Sequence, residues 1–412
     1  MSELKPFTEL LSGIVDNRGR SCPTSEQGIP LIATNCINND SLYPTYEKAR
    51  YVSQETYDTW FRGHPEPGDL IFVTKGSPGR VCMAPDPVDF CIAQDMVAVR
   101  PDSNKIYPKY LFAALRSYQV QQAIGNMHVG TLIPHFKKGD FDKLGIPVPN
   151  PAVQKIIGDM YYTISAKIDA NRRMNETLEA MARAIFQSWF VDFDPVRAKA
   201  SGEPAESICQ RLGLTPELLA LFPDSFEDSE LGEIPKCWEC GPLEKLLVLQ
   251  RGFDLPAPER TPGDYPILAA SGPSGTHHAF MVRGPGVTTG RSGVLGKVFY
   301  VHEDYWPLNT SLWVKEFKRA KPAYAFHALQ GLDYKGLNAG SAVPTLNRNH
   351  AHAVRVLVPP QLVVDAFEPI AAMFLKQQRA NLEQVAILAE IRDSLLPKLL
   401  SGELSIQEMV AA

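Results

Sequence analysis

The sequence predicts an α+β protein that is internally doubled. Two similar mixed α/β domains are separated by two long helices packed as an antiparallel coiled coil, and a pseudo-two-fold repeat relates the halves. Three observations lead there: an ordered internal repeat, a seven-residue stripe in two long segments, and short β-rich runs bounded by Gly, Pro and Asp.

The repeat is read from matches that keep one order. Pro6–Leu11 (PFTELL) resembles Pro242–Leu247 (PLEKLL), and Gly28-Ile-Pro30 resembles Asp264-Tyr-Pro266, at an offset of about 236. Pro67-Gly-Asp-Leu-Ile with Gly79-Arg80-Val81 aligns with Pro285-Gly-Val-Thr-Thr and Gly296-Lys297-Val298, at about 217. Pro134 and Ile146-Pro-Val-Pro149 align with Pro344 and Val356-Leu-Val-Pro359, at about 210. The shrinking offset means that the first copy carries extra residues, mostly between Ala33 and Pro67.

The strands are expected at Leu70–Val73, Met96–Val99, Val298–Val301 and Ser311–Val314. Tyr107–Tyr118 and Pro322–Leu329 read as short helices. Long helices follow Pro149-Asn-Pro151 and Pro359-Pro360, because proline suits the first turn. Their stripes are Ile157, Ile164, Asn171, Leu178, Ile185 and Phe367, Phe374, Asn381, Leu388, Leu395, with every step seven residues. Met160, Met174 and Met181 flank the first stripe; Ile370 and Ile391 flank the second. Such stripes want a partner helix, and the cheapest is the other copy's. Each carries one asparagine, Asn171 or Asn381, at equivalent positions. Either the two bond each other and set the register, or each bonds local backbone.

The expected division is 1–150 for the first mixed domain and 151–201 for its helix. A linker follows at 202–235, with a short helix near Pro216–Leu221. The second mixed domain covers 236–360 and its helix 361–406. At 412 residues, 44% hydrophobic and 21% charged, the chain can bury substantial cores. The net charge of −5 excludes a uniformly basic coat but not a local basic face. No apolar run reaches the length of a membrane span, and Met1–Phe7 lacks the pattern of a secretory leader. Seven scattered cysteines suit a reducing compartment, so a cytoplasmic protein is expected.

Chemistry-bearing motifs are scarce. Gly290–Lys297 misses the spacing of a phosphate-binding loop, and Val298 stands where that loop needs Ser or Thr. Cys237-x-x-Cys240 has no second pair at zinc spacing. His277-His278 and His350-x-His352 read as exposed loop histidines or phosphate contacts before metal ligands. No methyltransferase tetrapeptide, glycine-rich cofactor turn or nuclease signature stands out. No metal, cofactor or catalytic residue is therefore expected on this chain.

The paired halves, the Gly-x-Pro and Asp-x-Pro openings, the Pro67–Gly79 hairpin, the Ile-Pro-Val-Pro149 and Val-Leu-Val-Pro359 leads into long helices, and Ser229–Trp238 before the second copy form one ordered set. By that set the chain resembles the DNA-specificity (S) subunit of type I restriction-modification systems over nearly its whole length. The resemblance implies two target-recognition domains, each reading half of a bipartite site in double-stranded DNA, with the helices as spacer. It implies docking of methyltransferase (M) subunits, two of them, for adenine methylation, and of restriction (R) subunits through that core. S-adenosylmethionine, ATP and Mg²⁺ would then sit on partners. The family's glutamine at the start of the long helix is Gln154 in copy one, with Val364 at the aligned place in copy two. A self-contained DNA methyltransferase or nuclease is the alternative, and a purely structural coiled-coil module a third.

Base and phosphate contacts need donors on loops that can enter a groove. Three places in each copy offer them. The hairpins carry Lys75, Ser77 and Arg80, and Arg291, Ser292 and Lys297. The turns before the long helices carry Lys137 and Lys138, and Asn347, Arg348 and Asn349. The opening loops carry Arg18 and Arg20, and Arg251. These loops differ most between the copies, as expected if each half reads a different sequence.

Overall fold

The computed structural model describes residues 3–17, 21–46, 49–127, 134–340 and 342–404. The chain divides into two compact units. One is Met1–Arg173 with Asn381–Ala412, and the other is Met174–Ala380.

In the first unit a four-stranded antiparallel sheet orders Leu11–Val15, Met96–Pro101, Leu70–Val73 and Val81–Met83. A three-stranded sheet orders Arg50–Val52, Ile29–Ile32 and Cys91–Ile92, the last pair parallel. Glu3–Pro6 pairs with Gly145–Val148 at the foot of the long helix. In the second unit the same plan returns. Its four-stranded sheet orders Leu247–Arg251, Ser311–Phe317, Gly286–Gly290 and Val298–Val301. Its three-stranded sheet orders Gly272–His277, Tyr265–Ala269 and Trp306–Pro307, and Glu239–Pro242 pairs with Arg355–Val358. Strand order and pairing sense match throughout, so the repeat seen in sequence is a repeat of topology. The connections differ, the first copy carrying a long insertion between Ile32 and Arg50, with helix Gln54–Trp60 after it, where the second turns directly from Ala269 to Gly272.

Leu70–Val73 is buried on both faces, as suits a central strand rich in branched and aromatic side chains. Phe7, Phe72, Phe136 and Phe141 stack beneath it, with centroid separations of 5.1–6.1 Å for the Phe7–Phe141 and Phe72–Phe136 pairs. The helix Pro108–Arg116 begins with proline in its first turn and buries most of its length. It lies against the long helix at Gly158, where a Cβ would come 2.6 Å from Tyr110 N, so only glycine permits that approach.

The long helices are Pro151–Phe190 and Gln361–Ser401. In the first unit Ile157 and Tyr161 share a core with Leu396 and Leu399, while Asn171 reaches Gln384. In the second, Leu178 and Ala182 pack on Phe374, and Phe186 and Trp189 on Phe367. Numbers fall on one helix as they rise on the other, so the packing is antiparallel. The second row of the seam differs from the expected one. It is Tyr161, Ile168, Asn175, Ala182 and Trp189, while Met174 and Met181 are exposed. On the partner helix the row is Ala371, Gln378, Val385, Arg392 and Leu399, and Ile391 is exposed. Asn171 and Asn381 are both buried. The Asn171 amide donates to Gln384 Oε1 at 2.7 Å, three residues beyond Asn381, rather than to Asn381 itself.

Residues 202–235 are folded. Helices Ala205–Leu212 and Pro216–Ala220 and the hairpin Phe226–Ser229 with Gly232–Pro235 fill the stretch. Ile208, Leu214, Leu219 and Phe222 join the second unit's core. These four buried apolar anchors outweigh the Pro, Glu and Ser content of the span. The first long helix stops at Phe190, short of residue 201. Phe193 turns left-handed (φ 56°), and Pro195 opens a separate helix, Asp194–Ala200.

Candidate nucleic-acid interface

The hairpin and the turn before the long helix lie far apart in sequence, yet each unit brings them together with the same hydrogen bonds. In the first unit Gly76 N donates to Pro134 O at 2.9 Å, and Phe136 N to Thr74 O at 2.8 Å. In the second, Gly293 N donates to Pro344 O at 2.9 Å, and Leu346 N to Arg291 O at 2.8 Å. A carbonyl from a third loop pins each hairpin root. Asp95 O accepts from Thr74 and Lys75, and Thr310 O accepts from Arg291 and Ser292. Gly76 (φ 85°) and Gly293 (φ 89°) hold the left-handed turn that makes both bends possible.

A cavity lies beside each hairpin. In the first unit it is about 470 Å³ and is lined by Thr34, Asn35, Lys75, Gly76, Ser77, Arg80 and Asp95, with no residue from the turn. In the second it is about 410 Å³, lined by Arg251, Arg291, Leu312, Thr345, Leu346, Asn347 and Arg348. Three of the expected residues therefore meet in the first cavity and four in the second. In the second unit the hairpin, the turn and the opening loop all contribute.

The remaining candidates are placed differently. Lys137 is exposed beside the first junction. Lys138 is held by the buried Asp16 carboxylate at 3.2 Å, so it ties the opening loop down. Ser292 bridges to Thr345 at the edge of the second cavity. Asn347 caps the short helix Arg348–Ala353, its side chain accepting from Asn349 N at 2.9 Å, and Asn349 is exposed. Lys297 is exposed on the far arm of its hairpin and does not line the cavity. Arg18 and Arg20 lie outside the described residues.

Sequence reasoning missed Thr34, Asn35 and Asp95, which reach the cavity from elements remote in sequence. Two histidines expected to be exposed are structural instead. His277 is buried with Nδ1 accepting from Thr261 N, and His352 Nε2 accepts from Leu249 N at 2.8 Å. Burial lowers the His352 pKa, which suits that acceptor role. Among the described residues no group of three or more His, Cys, Asp or Glu is placed to hold a metal ion. No described helix is long and apolar enough to cross a membrane.

Residues 3–180 match the family model described as "Type I restriction modification DNA specificity domain". The chain is 25% identical, over 82% of its length and 86% of the relative's, to the Type I restriction enzyme HindI specificity subunit of Haemophilus influenzae. It is 21% identical to the MjaIX specificity subunit of Methanocaldococcus jannaschii, over 83% and 79%. Residues 3–180 thus match a type I specificity domain, and over most of its length the chain is similar to type I restriction-modification specificity subunits. Its fold is shared with the S subunit of the type I restriction-modification system from M. genitalium, at a TM-score of 0.64 and 16% identity over 97% of this chain and 96% of that one.

The Gln154 alignment takes a different form. Gln154 Oε1 accepts from Tyr107 N at 2.9 Å and so caps the Pro108 helix from the long helix. In the second unit Glu368, one turn beyond Val364, does the same for Ala323 N and Tyr324 N at 2.9 and 3.0 Å. These caps tie each mixed domain to its long helix.

Proposed function

We propose that this chain acts as a specificity subunit that reads a bipartite site in double-stranded DNA, one half with each cavity-bearing unit, and carries no catalytic centre of its own. The observation that carries the reading is the hairpin-and-turn junction, closed by the same backbone bonds in each unit, with a cation-bearing cavity beside it that is lined at different positions in the two units. A common junction flanked by different side chains is what reading two different half-sites requires. The long helices, 40 and 41 residues and each roughly 60 Å, set the gap between the half-sites. They also dock two methyltransferase subunits, which perform the adenine methylation, and restriction subunits join through that core in the cytoplasm. S-adenosylmethionine, ATP and Mg²⁺ belong to those partners.

Co-expression with the methyltransferase partner, followed by methylome sequencing of the host with and without this chain, tests the reading. The expected result is methylated adenines at one split motif that disappears with the chain. Methyl transfer by the purified chain alone, or a contiguous motif, would overturn it.

A further inference from the structure

The second cavity is richer in guanidinium than a phosphate cradle needs, and two of its three arginines are fixed by neighbours. Arg251 pairs with Asp254 at 3.5 Å. Asp254 Oδ1 also accepts from Asn309 Nδ2, and the Asn309 carbonyl accepts from Arg291 Nη1 at 3.2 Å. Arg251, Asp254, Asn309 and Arg291 thus form one chain of contacts across three loops. Arg348 stands apart: it is exposed, and no ion pair is recorded for it among the described residues.

We infer that Arg251 and Arg291 read guanine edges in the half-site of the second unit, with Asp254 and Asn309 as positioning residues, while Arg348 meets phosphate. The inference rests on the bipartite reading proposed above.

Two physical arguments carry it. A carboxylate facing the phosphate backbone would be repelled, yet Asp254 sits exposed beside Arg251. At base edges a carboxylate is tolerated, and it accepts from cytosine N4. Second, guanine offers O6 and N7 as paired acceptors, which a guanidinium matches with two N–H donors when its plane is held. The contacts to Asp254 and to the Asn309 carbonyl tether these two guanidinium groups at the cavity, limiting the planes they sample. A phosphate contact needs charge but not a fixed plane, and that describes Arg348. In the first unit Thr74 stands at the position of Arg291, so the device belongs to one half only.

The test uses the chain assembled with its methyltransferase partner. Methylome motifs and binding to a randomised duplex library are measured for Arg251→Gln, Arg291→Gln, Arg291→Lys and Arg348→Gln. Arg291→Lys keeps charge and length and loses only the fork, so it guards against a folding defect. The expected result is lost discrimination, roughly 5- to 150-fold, at G·C positions of one half-site, with the other half unchanged. Arg348→Gln should weaken all sequences alike and reduce the salt slope by about 0.9. Uniform weakening by the Arg251 and Arg291 variants with no change of motif would overturn the inference, as would relaxation in both halves. A wild-type complex that yields no split motif would instead remove the bipartite reading on which it rests.

Discussion

At the scale of single residues, the most informative side chain is one that sequence patterns ignore. His327 is buried on the helix Pro322–Gln330, against Phe186 and Phe367. Burial, aided by the nearby Arg183 charge and opposed by a hydrogen bond to Gln330, pushes its pKa down to about 4. The folded chain therefore resists a proton that the unfolded chain accepts near pH 6.5. The stability linked to His327 is complete above that pH and is lost as pH falls toward 4, by about 3 kcal/mol at most. In urea unfolding, wild type should lose stability between pH 7 and pH 5 by more than His327→Leu does. An equal loss in both would remove His327 as the cause. Residues such as His327 and Asn309 were illegible in sequence because their roles depend on neighbours tens of residues away. Lys75, Arg80, Arg251 and Arg291, which line the cavities, were picked out because a cation beside a turn glycine is a local pattern, and Arg348 because it sits in the polar turn before the long helix.

Elements were read more fully than residues, and the coiled coil shows where the reading stops. The first row of each stripe was legible, since Ile157, Leu178, Phe367 and Phe374 are apolar at seven-residue steps and are packed inward. The second row was not, because Asn175, Gln378 and Arg392 occupy it, and a search for hydrophobic side chains passes over them in favour of Met174 and Met181. The amides are satisfied in place: Asn175 Nδ2 donates to the Gln378 carbonyl and Gln378 Nε2 to the Asn175 carbonyl, both at 3.1 Å. Arg392, also buried, lies over the Tyr161 ring at 5.6 Å and pairs with Asp393 at 2.8 Å. A polar seam of this kind trades stability for register. It follows that Asn171→Ala and Gln384→Ala should couple, with an interaction energy of about 0.5–1.5 kcal/mol in a double-mutant cycle of denaturant unfolding. Strict additivity would mean that the 2.7 Å contact contributes nothing. The segment 202–235 failed to read for the opposite reason. Its composition suggested a linker, while Ile208, Leu214, Leu219 and Phe222 were spaced to fold it onto the second unit's core.

For the whole molecule, the repeat matters more than any motif. A chain with a net charge of −5 has no basic coat, so on the proposed reading DNA binding would rely on local clusters of cations such as those at the two cavities, one in each copy of the repeat. On the reading proposed above, doubling would also make the distance between half-sites a property of the helices, separating what is read from how far apart it is read. That separation can be tested by adding one heptad to each long helix, after Arg173 and after Ala380. Seven residues keep both seam rows in phase and add about 10 Å, the rise of about three base pairs. The methylome motif of the complex should keep the letters of both half-sites while its unread gap lengthens by up to about three base pairs. A heptad added to one helix alone leaves its seam facing the wrong partners and should abolish methylation. If the gap stayed constant in the doubly extended chain, the spacing would have to come from the DNA or from the partner subunits, and the helices would be left with docking alone.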